Sequence, residues 1–152
     1  MKLWRVLGII SFYLSWPLIA LYLRNTERTR VVVTSGDKIL VVKGWLGDGK
    51  WSLPGGGIQN GEPIIQGALR ELKEETGIEL GDNSLTALLS ENFRLHGTNT
   101  RLHYLSAVVP NLLPVERQRG EIVSVEWVQE TELNDNNTGK DALRAIAVWK
   151  TH

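Results

Sequence analysis

An α+β fold preceded by one hydrophobic helix is the class the sequence predicts, on three observations. Short β-branched or alternating apolar runs recur along the chain, bounded by Gly, Pro, Asn, Asp and Ser. Two stretches, one after Pro63 and one from Asp141 to Lys150, carry apolar residues at helical spacing. An uncharged run of 18 residues, Val6 to Leu23, precedes all of these.

Composition narrows the function. A chain of 152 residues is long enough for one domain with a buried core. The absence of cysteine excludes a disulfide framework, thiol catalysis and cysteine-based zinc sites. The formal net charge is zero, but residues 1–30 take five of the 17 basic side chains and one of the 17 acidic ones. Residues 31–152 are therefore acidic, with 12 basic and 16 acidic side chains. A nucleic-acid groove needs a basic stripe, so no nucleic-acid polymer is expected as a partner.

Residues 1–30 read as an N-terminal hydrophobic helix with a basic flank, and 31–152 as the globular domain. As a helix, Val6–Leu23 is about 27 Å long, and about 31 Å with Leu3 and Trp4 included, close to a bilayer core of roughly 30 Å. Trp4 and Tyr22 sit near its ends, where amphipathic aromatics favour the interface. A single membrane anchor, with lipid contacting residues 6–23, is the first reading. A cleaved signal peptide is a second, although no small-x-small site follows; an apolar helix docked on its own domain or on a partner is a third. Arg24, Arg28 and Arg30 outnumber Lys2 and Arg5, which leans toward a single-pass membrane protein with its globular domain in the cytoplasm.

In chain order, Val31–Thr34 reads as a strand, Ser35–Lys38 as a turn and Ile39–Lys43 as the return strand of a hairpin. Gly44–Lys50 is a loop, and Trp51–Leu53 a brief extended piece that Pro54 ends. Gly55–Gly56–Gly57 lets the backbone approach a ligand closely. Trp45 and Trp51 either cover the sheet edge or stack on a base. Lys43 and Lys50 either meet phosphates or stay solvated.

Asn60–Gly61 is a turn signal, and Pro63 suits the first position of a helix. Ile64, Ile65, Ala68, Leu69 and Leu72 form its inward stripe, and Gly77 suits a left-handed cap. Glu71, Glu74 and Glu75 stand at i, i+3 and i+4, on one face. Like charges at that spacing repel, and they lie at the helix end whose dipole disfavours them. A hard divalent cation, Mg²⁺ or Mn²⁺, relieves both; a solvated acidic face is the alternative. Arg70 pairs with Glu74 at i+4.

The stretch Gly56–Ile78 resembles the Nudix box. Gly56, Glu62, Arg70, Glu71, Leu72, Glu74, Glu75, Gly77 and Ile78 fill every specified position of that pattern, and WSLPGGG resembles its usual lead-in. The resemblance implies an α/β/α sandwich, a mixed sheet between helices with the box as loop–helix–loop. It also implies Mg²⁺-dependent hydrolysis of a nucleoside diphosphate linked to another group. By motif position, Glu71, Glu74 and Glu75 bind the metal, a carbonyl of Gly55 or Gly56 completes the site, Arg70 holds a glutamate in place, and Glu62 braces the loop.

Ser84–Arg94 and Arg101–Val109 read as strands joined by a hairpin loop, His96–Thr100. Arg94, Arg101 and His103 face either a cleft or solvent; His96 and His103 lack metal-ligand spacing. Lys43, Trp45, Arg94 and Arg101 are the substrate-binding candidates, and the Pro110–Gly120 loop brings Arg117 and Arg119. Glu121–Val128 alternates as a strand that resembles the Nudix strand passing the metal site. Glu121 is the added catalytic acid, with Glu126 the fallback, while Trp127 reads as core. Thr131–Leu133 resembles a short helix start. In Asp141–Lys150, Leu143, Ala147 and Ile146 are expected inward. The resulting expectation is a Nudix diphosphohydrolase acting at the membrane on a nucleoside triphosphate, oxidised or not, or a derivative. The alternatives are a nucleotide-sugar, a lipid-linked diphosphate, or a non-catalytic nucleotide sensor.

Overall fold

A computed structural model describes residues 27–45, 48–95, 98–117 and 121–152. The anchor expected over 6–23 lies outside the described residues, as do His96 and Arg119. Five strands form the frame: β1 Glu27–Ser35, β2 Lys38–Gly44, β3 Thr86–Leu95, β4 Thr98–Val108 and β5 Ile122–Gln129. Two helices join them, α1 Ile64–Thr76 and α2 Lys140–Trp149, with one-turn 3₁₀ helices at Asp82–Ser84 and Glu130–Glu132.

The strands lie in the order β3-β4-β1-β2-β5. β1 runs parallel to β4, with Val31 opposite Leu105 and Val33 opposite Ala107, and the other pairs are antiparallel. The sheet is therefore mixed, and a helix covers each face. Val31, Val33, Leu40, Leu105 and Ala107 pack with Ala68 and Leu72 of α1. Val32, Ile39, Val41, Leu102 and Tyr104 pack with Ala142, Ala145 and Ile146 of α2. Burial on both faces explains why Val31–Val32–Val33 is an unbroken apolar run instead of an alternating one.

Several boundaries differ from the sequence expectation. β1 starts at Glu27, four residues before Val31, because its outer half finds partners in β4 and in the segment after Pro54. β4 starts at Thr98, so residues expected in the hairpin loop belong to a strand. In α2, Ile146 is buried as expected, but Ala147 is exposed and Leu143 only partly covered. The helix is turned so that Asp141 points inward.

The expected single-pass membrane placement is corrected. Among the described residues no helix is long and apolar enough to cross a membrane. The two helices have 13 and 10 residues, against about 20 needed for a span. Each turns one face to the sheet, so neither is apolar all round.

β1 and β2 pair only at their hairpin end, Thr34 with Ile39 and Ser35 with Lys38. Where they diverge, residues 52–58 fill the gap. Ser52 exchanges backbone bonds with Val42. Val31 N–H then donates to Pro54, Thr29 N–H to Gly56, and Ile58 N–H to Glu27, each at 2.9 Å.

Beneath this segment lies a buried ion pair. Arg30 Nε donates to Asp141 Oδ2 at 2.7 Å, and Nη1 donates to the carbonyls of Gly55 at 2.9 Å and Thr29 at 3.1 Å. Burial alone would raise the Asp141 carboxyl, but the Arg30 guanidinium overrides it and holds it below the ordinary carboxylate range. Asp141→Ala leaves Arg30 buried without its counter-charge and is expected to cost about 3–5 kcal/mol in a denaturant titration. Lys73→Ala, which breaks the exposed pair with Glu79, is expected to cost under about 1 kcal/mol in the same measurement.

Candidate active site

The site is built on α1. The helix follows Pro63 and ends at Gly77, whose φ of 74° places it in the left-handed region, with its N–H donating to Lys73. Ala68 and Leu72 are fully buried, and Ile65 and Leu69 pack beside them. Ile64, expected inward, is exposed at the first turn. Glu71 and Glu75 are half-buried, and Glu74 is exposed.

Arg70 organises the carboxylates. Its principal partner is Glu62, eight residues back, with Nε to Oε1 at 2.9 Å and Nη2 to Oε2 at 3.0 Å. The expected i+4 partner, Glu74, is reached only at 3.4 Å. Nη1 also donates to Glu71 Oε1 at 2.7 Å, and Nη2 to the Gly57 carbonyl at 2.9 Å. Glu62 further accepts the Gln59 N–H at 2.9 Å. The Arg70 bond, then that of Gln59, holds the Glu62 carboxyl below its ordinary value. One guanidinium thus joins the loop, the helix and two carboxylates.

Gly55 and Gly56 bring backbone against this face. Gly55 has φ of 137°, and a Cβ there would run into the Thr29 carbonyl. Its N–H donates to Glu75 Oε2 at 2.9 Å. A Cβ on Gly56 would occupy the space of the Glu71 carboxylate. Burial pushes the Glu75 carboxyl up to about 7; the Gly55 N–H and Arg30 pull it down, and Glu71 adds to the rise.

A divalent cation fits the chemistry of these donors. They are hard oxygens on one helix face, and Glu75 is a half-buried carboxylate whose desolvation outweighs its partners. The carbonyls of Gly55 and Gly56 accept bonds from Arg30 and Thr29, and each keeps a second lone pair. Among the described residues no three acidic or histidine side chains are already gathered into a closed cage. Glu71 turns to Arg70 and Glu75 to Gly55 instead.

Among the described residues, the remaining candidates make no hydrogen bond or ion pair with these carboxylates. Glu121 is exposed before β5, and its carbonyl accepts the Trp45 N–H. Glu126 accepts from Ser124 Oγ at 2.7 Å. Lys43 Nζ lies 4.0 Å from the centre of the Trp51 ring, a cation–π contact, while Trp45 is 71% exposed. Arg94 on β3 and Arg101 on β4 are exposed on the other side of β1. His103 is buried with Nδ1 2.7 Å from Ser90 Oγ. Trp127 packs in the α1-side core and donates to Leu113.

Sequence reasoning missed Arg30, which supports the Gly55 carbonyl, and its partner Asp141. The alternation Arg28-x-Arg30-x-Val32 was the available signal, since it continues the strand outward with one face charged.

Comparison with known proteins is consistent over most of the chain. The NUDIX domain model matches residues 24–148. Nudix hydrolase 6 of Arabidopsis thaliana is 31% identical over 103 residues, which are 66% of this chain and 36% of that protein. Nudix hydrolase 2 of the same plant is 29% identical over 101 residues, so the chain spans 36% of the length of each of these relatives. Among solved structures, a bifunctional NMN adenylyltransferase/ADP ribose pyrophosphatase from Francisella tularensis, with AMP and a manganese ion, superposes with a TM-score of 0.71. It is 25% identical and covers 95% of this chain and 46% of its own. A NUDIX hydrolase from Nitrosomonas europaea shares the fold at a TM-score of 0.71 and 21% identity, covering 84% of this chain and 90% of its own.

Glu75 makes stability depend on pH. Its folded carboxyl titrates above the unfolded one, so its contribution is complete below the ordinary carboxylate range and is lost as pH rises through about 7. Melting points of the chelator-treated chain between pH 5 and 8 are expected to fall with pH. Glu75→Gln is expected to flatten that fall, which is on the order of 2–3 kcal/mol.

Proposed function

The chain belongs to the Nudix family, and from that premise we propose that it hydrolyses a diphosphate bond in a nucleoside diphosphate derivative, assisted by a divalent cation. The observation that supports this reading is the carboxylate face of α1, clamped by Arg70 and laid against Gly55–Gly56. Glu71, Glu74 and Glu75 would hold Mg²⁺ or Mn²⁺, with a carbonyl of Gly55 or Gly56 beside them. When bound, the cation neutralises diphosphate charge and lowers the pKa of a water.

The chain's own groups do the positioning. Arg70 sets the Glu71 carboxylate by a 2.7 Å bond, and the Gly55 N–H sets that of Glu75. Glu74 is the most exposed of the three and is weakly held, so it can turn toward a bound cation. A glutamate of this face within reach of the attacking water takes its proton. Glu121 is the further carboxylate of the proposal, from the turn residue just before β5.

The name of the Francisella neighbour makes ADP-ribose the first probe, beside the nucleoside triphosphates expected from the sequence. The full chain with Mg²⁺ is expected to release phosphate, diphosphate or nucleoside monophosphate from at least one of them. Glu75→Gln and Glu74→Gln are each expected to lose roughly 100-fold or more in kcat. Turnover unchanged in both variants would remove these glutamates from the mechanism. Binding without turnover by the unaltered chain would favour a sensor.

A further inference from the structure

Arg28 and Arg30 stand at i and i+2 on β1, so both leave the strand on one face. Their partners differ. Arg30 is committed to Asp141, Gly55 and Thr29. Arg28 makes no ion pair among the described residues, and its Nε is buried without a hydrogen-bond partner. Its Cα lies opposite Gly57 in an antiparallel bridge, and the Gly57 carbonyl accepts from Arg70. Arg28 is thus one backbone step from Gly56, against which the Glu71 carboxylate rests.

Charge describes the same neighbourhood. Burial and then Arg30 lower the Arg28 guanidinium, while Glu71, Glu75 and Asp141 act in the opposite sense. These carboxylates are therefore within Coulombic reach of a half-buried cation that stays protonated. A diphosphate brought to a face with Glu62, Glu71, Glu74 and Glu75 meets repulsion that Arg70, already engaged by three of them, does not offset. A metal relieves it on the helix side, and on the strand side a guanidinium with no ion pair among the described residues completes the charge balance.

We propose that Arg28 is a substrate-binding residue of this site, taking one phosphate group of the diphosphate by paired N–H bonds. The inference rests on the diphosphate-hydrolase reading and adds a ligand to it from β1, outside the stretch that carries the carboxylates. The planar guanidinium suits phosphate oxygens, and charge-assisted bonds of this kind are the strong ones. Filling the site also supplies acceptors for a donor group that lacks them.

The test is calorimetric titration of the full chain with inorganic diphosphate in the presence of Mg²⁺, for the unaltered protein, Arg28→Met and Arg28→Lys. Met keeps much of the side chain's apolar stem without its charge, and Lys keeps the charge without the fork. Arg28→Met is expected to weaken binding roughly 10- to 100-fold, with Arg28→Lys between, and on a turned-over nucleotide the loss is expected in KM more than in kcat. Melting curves identify a variant that fails to fold; if Arg28→Met does, Arg28→Lys carries the test. Diphosphate binding that is equal in the unaltered chain and the folded variants overturns the role of Arg28 and leaves the hydrolase reading standing. No diphosphate binding by the unaltered chain, together with no turnover of any nucleotide, overturns both.

Discussion

Segment 54–58 is held to the outer half of β1 by three backbone hydrogen bonds, at Glu27, Thr29 and Val31. Its position sets that of nearly everything chemical. With no side chain at Gly55 or Gly56, α1 can bring Glu75 to a backbone N–H and Glu71 close against the chain. From the sheet, Arg30 grips the Gly55 carbonyl. The glycines therefore serve as a thin partition with carboxylates reaching one group of the peptide and an arginine reaching the next. A side chain at either position would separate the helix from the strand it depends on.

Arg70 and Arg30 solve different problems with the same functional group. Arg70 is partly exposed and gathers acids that would otherwise repel one another, so its value lies in geometry as much as in energy. Arg30 is buried, and a buried pair gains little over apolar packing of the same volume. Loss of one partner matters far more than loss of the pair, because a lone charge is then left in the interior.

How much could be read from the sequence followed the range of the contacts. The spacing of Glu71, Glu74 and Glu75 on α1 and the turn at Gly61 are local, and they were legible. So was the family resemblance, carried by residues within one short stretch. Arg70's preference for Glu62 over Glu74 was not, because it depends on how the loop folds back over the helix. β1 starts earlier than its β-branched run indicates, because Arg28 and Arg30 look like solvent-facing flank until β4 and the 54–58 segment supply backbone partners. The inward turn of Asp141 had no local sign at all, as its reason stands 111 residues away. The membrane reading weighed one apolar run by its length; the two helices of the fold are stabilised by covering a sheet.

The Arg30–Asp141 pair also bears on the order in which the domain can mature during synthesis. The glycine partition, the acidic helix and Arg30 all leave the ribosome well before Asp141 does. Until α2 arrives, Arg30 lacks its buried counter-ion, and the carbonyl it grips has an unanchored support. The contact closes a loop of 111 residues, and its chain-entropy cost must be offset by the packing that α2 brings with it. The site reaches its settled form only when the chain closes on itself. That interval without a finished site would separate the onset of folding from the onset of activity.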